Sequence, residues 1–274
     1  MEKIEEVTSD ALNQRPKESL KNFIDTMSKI RDVDKNLLSR IEDQIKFYKG
    51  TKDCNNPIQY LEDKWFDSIK ENNDNIDYSV YTDENYCVDA WACWAIYSRK
   101  TLRSINKKKY LFGDVKTVLD VGNGIGKTTS AITEIWPEAK VIGTNIKDTE
   151  QWKVCKEYQK EYSFDILEDS STIGKVDIVF ASEYFEHILS PIEHLDDIIK
   201  NNDPEFMIIA NSFGTKGIGH FYKYYVQGEE VDGKKIGFIF NKRMREHGYE
   251  KIKTGFWNDK PYVWEKIKGK YEEK

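Results

Sequence analysis

The sequence has few cysteines, no long apolar run and no excess of positive charge, and each shortage removes a class of protein. Its 4 cysteines, Cys54, Cys87, Cys93 and Cys155, fall at irregular spacings with no C-x-x-C pair. Neither a zinc site nor a disulfide ladder is suggested, and a reducing compartment fits. No stretch approaches the roughly 18 consecutive apolar residues that cross a bilayer. The first residues, Met1 to Asp10, are charged, so no export signal or anchor is read there. The expectation is a cytoplasmic protein with no membrane partner. With 42 basic against 48 acidic side chains, the formal net charge is -6. The global field therefore does not draw in polyanions, and any nucleic-acid contact has to be local. Two basic stretches offer one: Arg99, Lys100, Arg103, Lys107, Lys108 and Lys109, and Lys234, Lys235, Lys242, Arg243 and Arg245. A solvated lysine-rich helix face is the simpler reading of each. Repeats and low-complexity tracts are absent as well.

What is present suffices for one α/β core with an appendage. From Ser19 to Tyr48 the apolar residues Leu20, Phe23, Ile24, Met27, Ile30, Leu37, Leu38, Ile41 and Ile45 recur mostly at three- and four-residue steps. That period predicts a helical hairpin, broken near Asp32 to Lys35. Glu71 to Asp77 is polar and reads as a loop. A second helical run covers Glu84 to Ile105, with Tyr86, Trp91, Trp94 and Tyr97 close together; packing against the next domain is the simplest use of these rings. After Gly113, Val- and Ile-rich segments at Lys116 to Val121, Lys140 to Asn145, Val176 to Ala181 and Phe206 to Ala210 alternate with helical ones. The latter are Lys127 to Trp136, Thr149 to Glu161 and Ile192 to Lys200. Such alternation implies βαβ units. Tyr249 to Lys253 and Tyr262 to Ile267 flank the turn-prone stretch Trp257 to Pro261. The predicted fold class is α/β, a doubly wound and mostly parallel sheet with a C-terminal antiparallel hairpin. A helical N-terminal segment at 1–110 precedes the catalytic domain at 111–274.

Residues 118 to 126 read VLDVGNGIG, an apolar strand that ends in a glycine turn with a helix opening at Lys127. Glycines permit a tight turn and let backbone N–H groups approach a ligand. A P-loop requires glycine five positions before Gly126, where Val121 stands, and the dinucleotide fingerprint requires glycine at Lys127. Both strict patterns fail. A carboxylate at Asp120, beside the turn, disfavours a pyrophosphate and favours a cationic amine.

These residues resemble the first motif of class I S-adenosylmethionine-dependent methyltransferases, an acidic residue followed by G-x-G-x-G, at Asp120, Gly122, Gly124 and Gly126. The resemblance runs through roughly Lys116 to Ile267 and implies S-adenosylmethionine as cofactor, with Asn123 in the same loop. The family's second strand usually ends in an acidic residue on the ribose; here Asn145 stands there, with Asp148 as fallback. The adenine motif is matched by Asp165 and Ile166, with Asp169 second. Ser182-Glu183-Tyr184-Phe185-Glu186-His187 and Pro191 resemble the fourth strand and the E-H-x-x-x-P segment. Glu183 thus falls where cofactor and acceptor meet.

Methyl transfer from a sulfonium is an in-line displacement in which alignment does most of the work, so no metal is required. The candidate catalytic residues are Glu183, Tyr184 and His220. His220 follows the strand at Phe206 to Ala210, where a substrate loop lies, whereas His187 reads as a structural hydrogen-bonder and His194 as exposed. The N-terminal segment and the loop from Asn211 to Gly233 are expected to close over the cleft. Phe213, Phe221, Tyr222, Tyr224 and Tyr225 in that loop suit a flat acceptor. The place after the fourth strand reads Ala181-Ser182-Glu183-Tyr184, without the Asn/Asp-Pro-Pro-aromatic motif, and no cysteine lies beyond Cys155. Both common DNA-methylating types are therefore disfavoured. A small-molecule O or N acceptor is the leading reading, followed by RNA, a nucleotide or a protein. Two rivals remain: a P-loop-like nucleotide hydrolase with Asp177 on magnesium, and a non-catalytic cofactor-binding module.

Overall fold

The computed structural model describes residues 11–12, 16–33, 35–48, 50–51, 56–70, 76–256 and 261–267. The first helices are α1 (Pro16–Ser28), α2 (Lys35–Tyr48), α3 (Gln59–Ser68), α4 (Glu84–Cys93) and α5 (Arg99–Lys107). The hairpin break near residue 32 is where the sequence placed it. The run from 84 to 107 is one continuous rod with a π-helical stretch at Trp94–Ser98. Most of the stretch expected as a loop at Glu71 to Asp77 (71–75), most of the turn at Trp257 to Pro261 (257–260), and Cys54 lie outside the described residues.

From residue 117 the chain alternates β1 (Thr117–Asp120), α6 (Lys127–Ile135), β2 (Lys140–Thr144), α7 (Glu150–Glu161), β3 (Asp165–Leu167), β4 (Ile178–Ser182), α8 (Pro191–Asn202) and β5 (Phe206–Ala210). It continues with β6 (Lys223–Val226), β7 (Glu229–Asp232), α9 (Gly233–Glu246), β8 (Tyr249–Ile252) and β9 (Tyr262–Lys266). The main sheet has the order β3-β2-β1-β4-β5-β9-β8. Its first five members are parallel, and β9 and β8 are antiparallel. This is the doubly wound sheet with a C-terminal antiparallel hairpin that the sequence implied. The order reverses between β1 and β4, the switch point at which open parallel sheets leave a crevice beyond their carboxyl ends.

The two-residue period of the strands sorts the core into two layers. Val118, Ile178, Phe180, Phe206 and Ile208 face one side, where they join Phe23, Ile41, Trp91, Leu102, Ile132 and Tyr158. Leu119, Val179, Ala181, Met207 and Ile209 face the other, with Trp65, Leu195, Ile236 and Phe240. Helices α1, α2, α4 and α5 thus share a core with α6 and α7, whereas α3 packs on the opposite layer with α8 and α9. Trp91, stacked on Phe23 at 5.5 Å between ring centroids, belongs to that core. Each fully buried large apolar side chain contributes about 1.5–3 kcal/mol. Capping follows the sequence, as Thr149 accepts from Trp152 N and Asp232 from Lys234 N and Lys235 N.

The basic stretches are largely solvated, as expected, with Lys100, Lys107, Lys109, Lys234, Lys235, Lys242 and Arg245 exposed, although several side chains also make fixed contacts. Arg103 donates to Leu12 O, Lys109 to Ile135 O and Lys108 to Thr254 O, while Arg243 holds Asp196 with two bonds of 2.7–2.8 Å. They brace helices against the core. No helix among the described residues is long and apolar enough to cross a membrane.

Candidate functional site

One cavity of about 1440 Å³ opens at the switch point. Its floor is made by strand ends: Gly122, Asn123 and Gly124 after β1, Thr144 and Asn145 after β2, Glu168 after β3, Ser182 and Glu183 after β4, Ala210 and Ser212 after β5. Its far wall comes from the N-terminal segment, with Tyr78, Tyr81, Tyr86, Trp94 and Tyr97. Tyr86, Trp94 and Tyr97, read from sequence as packing residues, therefore border open space.

The glycine loop is pinned to β2. Gly122 N donates to Thr144 Oγ1 at 3.2 Å, and Asn123 N donates to Thr144 O at 2.9 Å. Gly122, Gly124 and Gly126 all have positive φ, at 67°, 53° and 84°. Their surroundings differ. A Cβ on Gly122 would overlap the Tyr184 ring, and one on Gly126 would stand 2.8 Å from Cys155 Sγ. At Gly124 the nearest heavy atom would be Gln151 Oε1 at 3.8 Å, so this glycine alone of the three turns an open face to the cavity.

Several residues assigned from sequence lie elsewhere. Asp120 is 2 % exposed beneath the loop and accepts from Thr129 Oγ1 at 2.7 Å; burial raises its carboxyl to about 7. It is absent from the cavity lining. Asn145 borders the cavity, but Nδ2 donates to Gly124 O at 2.5 Å and Oδ1 accepts from Ile146 N, so the amide braces the glycine loop. Asp148 is exposed and away from the lining. Asp165 and Ile166 open β3 at the level of Ile142 and Gly143, short of the carboxyl edge, and Asp165 pairs with Lys140. Glu168, two residues past Ile166, is the acidic group after β3 that reaches the cavity, ion-paired to Lys147 at 2.9 Å. The strand is three residues long, so a motif matched at its start misses the edge.

The P-loop rival fails on geometry. Lys127 is 1 % exposed, its ammonium hydrogen-bonded to Asn22 and seated 4.2 Å from the Tyr158 ring centroid. Burial lowers its pKa to about 7. It ties α6 to α1 and is committed there. Asp177 sits at the opposite end of the sheet, where it accepts from Lys116 N and Thr117 N.

At the acceptor end, β4 runs into a tight turn at Phe185–His187. Glu183 has φ 51°, a left-handed conformation rare outside glycine. Tyr184 packs on Gly122, and its hydroxyl meets His194 Nε2 at 2.8 Å. His194, expected on the surface, is half-buried through this contact. Burial lifts the Tyr184 phenol to about 12, so it stays protonated. His187 Nδ1 meets the Tyr81 hydroxyl at 3.2 Å, and burial pushes its imidazole down to about 3, which keeps it neutral. His220 stands edge-on to His187 at 4.8 Å between centroids, and its Nδ1 lies 3.0 Å from Thr215 O. Trp65 Nε1 donates to His220 O at 2.7 Å, so α3 holds this loop in place.

Two residues that carry the site were not assigned from sequence. Tyr81 lies in a short turn at Tyr78–Thr82 with no motif around it. Glu186 was visible in the E-H-x-x-x-P segment, three residues after Glu183. It is fully buried, and burial followed by the Glu183 charge pushes its carboxyl well above the usual range. The lid also differs from expectation. Residues 223–232 form the β6–β7 hairpin, and Phe221 and Tyr224 are core residues at 1 % and 0 % exposure. The part that borders the cavity is mostly polar, with Ser212, Thr215, Lys216 and His220 beside Ile218.

The fold and cavity define a Rossmann-like α/β protein with its site at the switch point. No protein-family model matches the chain, and no curated protein sequence does. Among solved structures, the chain is similar to the StiE O-MT domain at 21% identity over 40% of this chain and 43% of that one, with a TM-score of 0.34. It is similar to the plantazolicin methyltransferase BpumL in complex with a pentazolic desmethylPZN analog and SAH, at 17% identity over 57% and 61% of the two chains, TM-score 0.42. A third is the magnesium protoporphyrin IX methyltransferase ChlM from Synechocystis PCC 6803 with bound SAM, at 15% identity over 67% and 84%, TM-score 0.41. The match spans less than two thirds of the length of the first two.

Proposed function

We propose that the chain is an S-adenosylmethionine-dependent methyltransferase acting on an O or N atom of a small molecule. The observation that carries this reading is the cavity that joins the open face of Gly124 to the carboxylate and imidazole groups after β4 and β5. At about 1440 Å³ it exceeds the roughly 300–1,000 Å³ of a single drug-sized ligand, room for a cofactor and an acceptor side by side. The Gly122–Gly124 loop and Glu168 would hold the cofactor. Glu183 and His220, with Tyr184 packed behind, would orient the acceptor. The N-terminal segment, residues 1–110, acts as the cap that selects it. Its tyrosine and tryptophan wall favours a flat or partly apolar acceptor over the phosphate backbone of RNA, as does the net acidic charge.

Transfer itself asks the protein mainly for alignment, since the leaving thioether is neutral. The test is transfer of an isotope-labelled methyl group from S-adenosylmethionine to hydroxyl- or amine-bearing aromatic compounds, with RNA and peptides in parallel. Labelling of the aromatic compounds is expected. His220→Ala should lower turnover by about a hundredfold with cofactor affinity nearly constant. Unchanged turnover would remove His220 from acceptor handling, and labelling of RNA or peptide alone would overturn the small-molecule assignment.

A further inference from the structure

The acceptor end of the cavity contains an arrangement that methyl transfer by alignment does not call for. Glu183, Glu186 and His220 each present a ligand atom, and these atoms all lie within 4.8 Å of one another. Glu186 is fully buried, and its Oε1 accepts from Ser212 N at 2.8 Å. Its Oε2 is equally buried, meets no donor, and faces the Glu183 carboxylate within hydrogen-bonding reach. A carboxylate oxygen held inside protein without a donor or cation is costly. His220 is prepared in a complementary way. Thr215 O can only accept, so Nδ1 at 3.0 Å carries the proton and Nε2 keeps its lone pair. A backbone carbonyl that fixes the tautomer of a ligating histidine is a recurring outer-shell device.

We propose that Glu183, Glu186 and His220 bind a divalent first-row transition-metal ion, Mn²⁺ or Zn²⁺, at the acceptor end of the cavity. Two carboxylates and one imidazole suit such ions, and three protein ligands leave coordination positions open to a further oxygen or nitrogen. Tetrahedral bonds of about 2.0–2.2 Å set ligand atoms roughly 3.3–3.6 Å apart, so a pair at the 4.8 Å limit has to close by roughly 1.2–1.5 Å, a shift within reach of the side-chain torsions of Glu183 and His220. Glu183 and His220 border the cavity, so the open positions lie on the acceptor side. Ion binding stands on this geometry alone; its use, to hold the acceptor atom, rests on the methyltransferase reading.

The full chain, stripped with EDTA, is titrated calorimetrically with MnCl₂ and with ZnCl₂, and separately with S-adenosylhomocysteine. One equivalent of ion should bind. Glu186→Gln, which keeps an acceptor for Ser212 N, and His220→Ala should each weaken ion binding by about tenfold or more, with S-adenosylhomocysteine affinity unchanged. No stoichiometric uptake would mean that the two carboxyl groups only share a proton, and would overturn the proposal. Uptake that survives both substitutions would overturn it too, as binding elsewhere. Ion uptake without S-adenosylhomocysteine binding would uphold the ion site and sink the methyltransferase reading.

Discussion

Alanine at each glycine of the turn after β1 should give unequal results, because the three positions share a backbone conformation and differ in what surrounds them. At Gly124, φ is 53° and a new Cβ meets nothing closer than Gln151 Oε1 at 3.8 Å. Gly124→Ala should therefore cost only the left-handed strain, about 1–2 kcal/mol. At Gly126 the same strain is joined by a Cβ 2.8 Å from Cys155 Sγ and 3.3 Å from Cys155 Cα. The second of these is backbone and cannot swing away, which adds about 1–3 kcal/mol of overpacking. In a chain of this size each 1 kcal/mol lowers Tm by about 2–4 °C. Thermal unfolding should thus rank Gly126→Ala well below Gly124→Ala. Calorimetry with S-adenosylhomocysteine should rank them by a different logic, since only at Gly124 does the added methyl project into the cavity. A tenfold or greater loss there corresponds to about 1.4 kcal/mol. Wild-type affinity in a folded Gly124→Ala protein would refute the assignment of this loop to the cofactor. Equal destabilisation at both positions would refute the packing argument.

Asn145→Asp should loosen the glycine loop and weaken cofactor binding, because it removes the Nδ2 donor and sets an anion against Gly124 O; unchanged or tighter binding would show instead that the side chain serves the ribose. Asp120 has a folded value of about 7 against 3.8, so its protonated form adds stability that is complete below pH 3.8 and lost as the pH rises through 7. The full swing is on the order of 4 kcal/mol. Urea unfolding at pH 5 and 7.5 should show a fall in wild-type stability that Asp120→Asn largely removes, and parallel curves would contradict it.

Much of the fold was legible because its signals are local. The Val- and Ile-rich segments at 117–120, 140–144, 178–182 and 206–210 became β1, β2, β4 and β5 within one or two residues of the expected bounds. The glycine turn was legible for the same reason. What was missed depends on contacts distant in sequence. α9 (Gly233–Glu246) was not among the assigned helical segments, and only the basic residues Lys234, Lys235, Lys242, Arg243 and Arg245, read as a lysine-rich helix face, pointed to it. Phe221 and Tyr224 looked like lid aromatics until Trp65, on α3, was found packed against Phe221 at 5.2 Å. Motif matching placed Asp165 at the adenine, but β3 is so short that Glu168 reaches the edge instead. Glu186 enters the proposed ion site only because Ser212, after β5, orients one oxygen and leaves the other facing Glu183 without a donor. No spacing within 183–187 encodes that.

On the reading proposed above, the crevice at the switch point takes S-adenosylmethionine. Calorimetric titration of the unmodified chain with S-adenosylhomocysteine and, in parallel, with MgATP tests it most directly. The structure leads us to expect one site for S-adenosylhomocysteine and none for MgATP, since Lys127 is committed to Asn22 and Tyr158. Binding of MgATP without S-adenosylhomocysteine would contradict the account.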